Sequence, residues 1–333
     1  MRLRYRPFQA VVIALLAALI TACAAFAPLY DRAMRQALAD IVIDQTPPAL
    51  SGLQVSAVAD AEFGFGYHQQ SPPPAPDVLF SKVPPDLRSS YLDPIYGYSA
   101  VVMKEPGQPA DPGSLLVWRD GECEHLELVD GACPSRPGDI VVSEADVDNF
   151  GFTTGTRFTI AGVPKNAGTG GHTKPTDLPI TVTGVYRQQP SDYWFGLQLT
   201  GRSGTADPLP PNHLSADVWL TGRRTFESRS LPVLPQETST VALPLDRDAA
   251  DVDDLLEIGA ATDQLAAQPN LIQGATLSYV SGMSDLAENV RDQTSQSRVT
   301  VPLLMAQLGL LAVVVLWLVL LAVTEQRRPE VAL

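Results

Sequence analysis

Positive charge is scarce in this sequence: 23 lysines and arginines stand against 37 aspartates and glutamates, a formal net charge of −14. That balance excludes binding of nucleic acid or anionic lipid through bulk electrostatics. Histidine is scarcer still, and His68, His125, His172 and His213 are scattered without metal-ligand spacing. Three cysteines occur, with no C-x-x-C or H-x-x-x-H partner, so no metal site is indicated. A nucleotide loop is missing as well. Gly168-Thr-Gly-Gly-His-Thr-Lys174 is rich in glycine, but Lys174 is followed by Pro175 and not preceded by glycine, and no strand-to-helix context surrounds it. It reads as a surface loop. Gly201-Arg-Ser-Gly204 is one residue short of the G-x-S-x-G nucleophile elbow and stands among polar, turn-forming residues. No catalytic, cofactor-binding or metal constellation is left, and the expectation is a protein that is not an enzyme and carries no cofactor.

What the sequence does have is two long apolar runs, one at each end. Val301 to Val323 is 23 residues without a charge, and at the helical rise it spans about 34 Å, enough to cross a hydrocarbon core of about 30 Å. Pro302 sits where a first helical turn tolerates it. Arg327 and Arg328 follow at once and place that flank in the cytoplasm. Arg2, Arg4 and Arg6 precede a second uncharged run, Phe8 to Tyr30, also 23 residues long. Basic flanks on the same side predict a hairpin topology, with both termini cytoplasmic and everything between outside the cell. A cleaved signal peptide needs a shorter apolar core. Ile20-Thr-Ala-Cys23 also resembles a lipobox, which leaves open a lipoprotein acylated at Cys23. Ala10, Ala14, Ala18 and Ala22 recur every four residues, a small-residue stripe of the kind that lets membrane helices pack closely.

About 270 residues separate the two runs, room for one large domain or two small ones. Setting aside the five arginines and two glutamates of the ends leaves 18 basic against 35 acidic residues outside, a net −17. Most of the 29 prolines and 24 glycines fall here, which points to a β-rich domain with many turns. Cys123 and Cys133 are the only cysteine pair outside the membrane runs, and a short disulfide-closed loop suits that compartment. Periodicity predicts strands over 53–58, 98–103, 114–118, 139–143, 157–161, 178–186, 216–220, 240–245 and 275–280. Helices are expected over 31–40, ended by Thr46-Pro47-Pro48, over 144–150 with Gly151 as cap, over 251–268 with Leu255, Ile258, Ala261, Thr262 and Leu265 on one face, and from Asp285 onward. Residues 69–76 read as a proline-rich loop and 84–94 as irregular or briefly helical. Glu122, Glu124 and Glu127 read as an acidic surface strand, and Trp194 and Phe195 as buried core rather than an exposed contact.

Three stretches in order resemble the FtsX-like and MacB-like ABC transporter permeases. Ala27-Pro-Leu-Tyr-Asp-Arg-Ala33 resembles the segment leaving the first membrane helix in actinobacterial members. Cys133-Pro-Ser-Arg-Pro-Gly-Asp-Ile-Val-Val-Ser143, Phe150-Gly-Phe-Thr-Thr-Gly-Thr-Arg-Phe-Thr159 and Val182-Thr-Gly-Val-Tyr186 resemble the core of the MacB-type periplasmic domain. Thr324-Glu-Gln-Arg-Arg-Pro-Glu-Val-Ala-Leu333 looks like the cytoplasmic turn after a second span. Such permeases usually continue with at least two more membrane helices, whereas this sequence stops ten residues after its second run, so the expectation is the first part of a permease or a truncated member.

The resemblance implies a membrane protein of α+β class, two transmembrane helices extended as stalks flanking a β-rich mixed extracellular domain. The expected divisions are a cytoplasmic N-terminus 1–8, a transmembrane helix 9–30, a stalk helix 31–46, a MacB-type domain 47–280, a stalk helix 281–300, a transmembrane helix 301–323 and a cytoplasmic tail 324–333. It implies a cytoplasmic ABC ATPase subunit as partner, a second permease copy or the remaining permease half, and contact with membrane lipid, but no nucleic acid. ATP hydrolysis by the partner would tilt the membrane helices, and the stalks would pass the motion outward. The alternative is a membrane-anchored extracellular binding or sensor protein, or the Cys23 lipoprotein, without transport activity.

Overall fold

Alternating and continuous apolar runs in the middle of the sequence become the strands of a single mixed sheet. The computed structural model describes residues 18, 21, 32–34, 36–37, 40–59, 72–103, 113–162, 176–207, 213–228, 230–234, 236–248, 250, 252–268, 271–272, 275–292, 307, 309–311, 313–315, 317–318 and 321. They divide into two units, one of residues 1–45, 251–256 and 285–333, the other of residues 46–250 and 257–284.

In the first unit the described residues are helical. No helix among the described residues is long and apolar enough to cross a membrane, and the expected spans 9–30 and 301–323 lie outside them except for isolated positions. Those positions are exposed, with Leu310 at 70 % and Trp317 at 60 %. A leading helix, residues 40–45, stops before Pro47, which cannot continue it. An outgoing helix, residues 283–292, begins two residues before the expected Asp285, because Ser281 Oγ accepts from Met283 N at 3.2 Å. Ile43, Leu286, Ala287 and Val290 are buried.

The second unit holds α1 (Pro48–Ser51), β1 (Leu53–Ala59), α2 (Pro76–Phe80), α3 (Pro85–Arg88), β2 (Ile95–Met103), β3 (Gly113–Arg119), a 3-10 turn (Glu122–His125), β4 (Leu126–Gly131), β5 (Asp139–Ser143), α4 (Glu144–Phe150), β6 (Arg157–Gly162) and β7 (Thr176–Gln188). It continues with a 3-10 turn (Asp192–Trp194), β8 (Thr205–Asp207), β9 (His213–Ser215), β10 (Trp219–Thr221), α5 (Arg224–Glu227), β11 (Thr238–Leu243), α6 (Val252–Ala266), whose first turn belongs to the other unit, β12 (Leu271–Ile272) and β13 (Ala275–Ser281). The strands form one sheet in the order β12-β13-β1-β11-β2-β3-β10-β5-β7-β4, with β6 on β7 and β9 bridging β3 and β8. Pairing is antiparallel except for β3–β10, β3–β9 and β5–β7. β5 is buried at all five positions, as a strand with parallel pairing and two covered faces requires. One core layer gathers Tyr98, Leu116, Trp118, Ile140, Phe152, Ile180 and Trp219. A second, on the opposite face, gathers Val117, Val141, Tyr186, Trp194, Leu199 and Leu220.

Several readings of the sequence need correction. α2 lies at the end of what reads as a proline-rich loop, because Pro76 at the first helical position starts a helix rather than preventing one. The expected acidic surface strand is present in part: Glu127 lies on β4, which among the described residues pairs with β7 at the edge of the sheet. Glu122 and Glu124 are not on a strand but on the 3-10 turn, and Glu122 is buried at 5 % exposure. The strand expected from Ala216 begins only at Trp219, because the Asp217 N–H goes to the Asp146 carboxylate and the Val218 N–H to Leu199 O.

Candidate functional site

Three places in the sheet unit concentrate unusual geometry. The first is where the chain enters and leaves it. β1 pairs antiparallel with β13 over seven residues, Leu53 opposite Ser281 and Ala59 opposite Ala275, and on its other side with β11. First and last strands are therefore neighbours inside the sheet, and the chain enters and leaves this unit at adjacent points. Ser281 Oγ donates to Gly52 O at 2.8 Å, and Arg247 Nη2 donates to Thr46 O at 2.8 Å. The packing is tight enough to demand glycine twice. A Cβ on Gly52 would stand 2.6 Å from Leu243 O and 2.5 Å from the Phe195 ring, and one on Gly282 would stand 2.8 Å from Leu50 O. Sliding one strand past the other would break a ladder whose bonds each contribute about 1 kcal/mol net.

The second place is a buried carboxylate pair. Ser143 ends β5 and caps α4, its Oγ accepting from Asp146 N at 3.1 Å and donating to Asp217 Oδ2 at 2.6 Å. Gly151 closes the helix in the left-handed region. Asp146, fully buried, accepts from Asp217 N at 3.0 Å and from Trp219 Nε1 at 3.1 Å. Asp217 Oδ1 accepts from Arg202 N (2.8 Å) and Ser203 N (2.9 Å) and so holds the Gly201–Gly204 turn. Burial pushes the Asp146 carboxyl above its ordinary range, against the backbone bond from Asp217. Every carboxylate oxygen has a partner, the signature of a structural lock rather than a reactive centre. Ser203 Oγ accepts from Asn149 Nδ2 at 3.0 Å, in a turn and not at a strand-to-helix elbow.

The third is a cleft of about 300 Å³ beside the end of β3, whose walls include Arg119, Glu122, Cys123, Glu124, Arg136, Arg223 and Arg224. Arg119 is 8 % exposed, and its Nη1 donates to Tyr193 O at 3.0 Å. Burial pushes its pKa down to about 10 and pushes the Glu122 carboxyl well up. Glu122 Oε2 accepts from Arg119 N at 2.9 Å. Cys123 and Cys133 are joined by a disulfide, with Cα atoms 6.3 Å apart.

Of the residues singled out in the sequence, this structure brings Cys123 and Cys133 together. Ala18 is helical and exposed, while Ala10, Ala14 and Ala22, like Cys23 and Gly168–Lys174, lie outside the described residues. Trp194 and Phe195 are buried at 2 % and 4 % exposure. Asp146, Asp217 and Arg119 escaped sequence reasoning, because charged residues inside strand and helix patterns read as solvent-facing. Among the described residues no group of His, Cys, Asp and Glu could hold a metal ion.

No protein-family model matches the sequence, and neither does any curated protein. Among solved structures, a domain assigned to a permease of Porphyromonas gingivalis is similar at 12 % identity and a TM-score of 0.29, over 70 % of this chain and 91 % of that one. The extracellular domain of the ABC-type transporter YknZ from Gram-positive bacteria is similar at 11 % identity and a TM-score of 0.29, over 64 % of this chain and 92 % of that one. Likeness of that extent sets neither fold nor function.

Proposed function

We propose that this chain is a permease subunit, or the first part of one, of an FtsX-like and MacB-like ABC transporter, carrying movement from a cytoplasmic ATPase to an extracellular sheet domain. The observation that carries the reading is the pairing of β1 with β13, which brings both chain ends out of the sheet side by side. Two membrane spans bracketing such a domain need their extracellular ends to meet it together, and the basic flanks at Arg2–Arg6 and Arg327–Arg328 favour that hairpin topology. In this reading residues 9–30 and 301–323 cross the membrane, residues 31–46 and 281–300 are stalks, and the Ala10, Ala14, Ala18 and Ala22 stripe is a helix-packing face. The Cys123–Cys133 bridge is a structural staple. The partners are an ATPase subunit, a second permease copy or the remaining permease half, and membrane lipid.

The test is coupling to an ATPase extracted together with the chain from native membranes. The chain is purified in mild detergent with spin labels at Asp44 and Glu288, both exposed on the leading and outgoing helices. The expected result is a vanadate-sensitive ATPase that travels with the chain, and a change in the label-to-label distance when ATP and vanadate are added. An ATPase-free preparation, or a distance indifferent to nucleotide, would contradict the proposal.

A further inference from the structure

The Arg119 cleft has a composition at odds with the surface around it. The region between the two apolar runs carries a net −17 with only 18 basic residues, yet four arginines share the walls of this one cavity of about 300 Å³. Their states differ. Arg119 is buried and makes a single side-chain hydrogen bond, to Tyr193 O, which leaves most of its five donors unused among the described residues. Arg223 is held in place, its Nε 2.8 Å from Glu227 Oε1 and its guanidinium over the Trp118 ring at 5.3 Å, so one edge of the fork is engaged and the other is not. Arg136 and Arg224 are exposed, and their side chains have no partner among the described residues.

Two carboxylates oppose them on the walls, Glu122 and Glu124. Glu122 is turned inward to cap Arg119 N, and burial disfavours its charged form, so it neutralises little. Glu124 is exposed at the rim. The cleft therefore keeps a surplus of positive charge with forked donors, the chemistry that matches a planar carboxylate or a phosphate.

The disulfide gives the cavity its shape. The turn that carries Glu122, Cys123 and Glu124 forms one wall, the segment Pro134–Arg136 forms another, and Cys123–Cys133 ties the two together across ten residues of sequence. Asp139 Oδ2 fixes the second wall further by accepting from Arg136 N at 2.9 Å. A cavity clamped in this way holds the backbone of two of its walls in place before a ligand arrives, which lowers the cost of binding.

We infer that this cleft is a binding site for a small oxyanion ligand, one whose phosphate or carboxylate group lies between Arg119 and the Arg136, Arg223 and Arg224 side chains. The source of the oxyanion is read from two probes, pyrophosphate for the phosphate class and citrate for the carboxylate class, titrated into the detergent-purified full chain with calorimetry and intrinsic tryptophan fluorescence, to which the cleft residue Trp118 contributes, as readouts. Saturable binding of either probe is expected, weakening with added salt and falling by about tenfold or more in R136A/R224A, whose side chains are exposed and make no hydrogen bond or ion pair among the described residues. R136K/R224K should restore part of the affinity, because a point charge replaces the fork. Reduction of the disulfide, with folding checked by circular dichroism, should also weaken binding. Neither probe binding at roughly 10 mM, or affinity unchanged in R136A/R224A, would overturn the site. Affinity unchanged on reduction would overturn the clamp.

Discussion

Asp146 ties α4 to the segment before β10 from a fully buried position. Its two oxygens accept from Asp217 N and Trp219 Nε1, so an asparagine there would turn an amide N–H towards a buried N–H donor. We expect D146N to lower stability by about 2–3 kcal/mol, read as a shifted urea midpoint with unchanged slope. Glu122 supplies a pH signature. Its folded pKa is raised by burial, so the stability it contributes is complete below the ordinary carboxylate value and is lost as pH rises through the raised one. E122Q keeps an acceptor for Arg119 N but cannot ionise. Its stability relative to the parent should therefore grow from pH 5 to pH 8, and thermal melts at a series of pH values measure this. A difference that shrinks with pH would show that Glu122 is held as an anion. Neither residue was legible beforehand, because nothing in the spacing of a lone aspartate or glutamate says that its neighbours will be backbone N–H groups from distant segments.

Elements were far more legible than side-chain networks, and the reason is periodicity. β5 followed by α4 could be read because Ile140–Val142 is a β-branched apolar run, Ser143 is a capping residue, and Gly151 stops the helix. β4 was legible only as an acidic surface strand without its start, since an edge strand tolerates charge on both faces, and α2 was not legible, since Pro76 reads as a breaker unless its position in the first turn is known. The pairing of β1 with β13 joins residues more than two hundred positions apart, and no local pattern encodes it. Its tightness is testable. With a Cβ on Gly52 meeting Leu243 O at 2.6 Å, G52A forces the strand end apart and should cost about 1–3 kcal/mol. The melting temperature of the full chain checks the loss. The fluorescence of Trp194, which adjoins the Phe195 ring that the new methyl would strike, should change as well.

For the whole molecule we propose one acidic sheet domain held outside the membrane by the two apolar ends. Its structure holds a disulfide, Cys123–Cys133. Closing a loop of this length should contribute about 3 kcal/mol through chain entropy, so reduction should lower the melting temperature of the sheet unit, as differential scanning calorimetry would show. The measurement that bears most directly on the account is cysteine labelling of intact cells with a membrane-impermeant maleimide, in a Cys23→Ser background where the remaining native pair is oxidised. Single cysteines replace Arg2, Thr276 and Glu330 in turn, Thr276 being exposed on β13. The account predicts that T276C is labelled in intact cells and that R2C and E330C react only after permeabilisation. Labelling of either terminus from outside, or a T276C that stays unlabelled until the cells are opened, would contradict it.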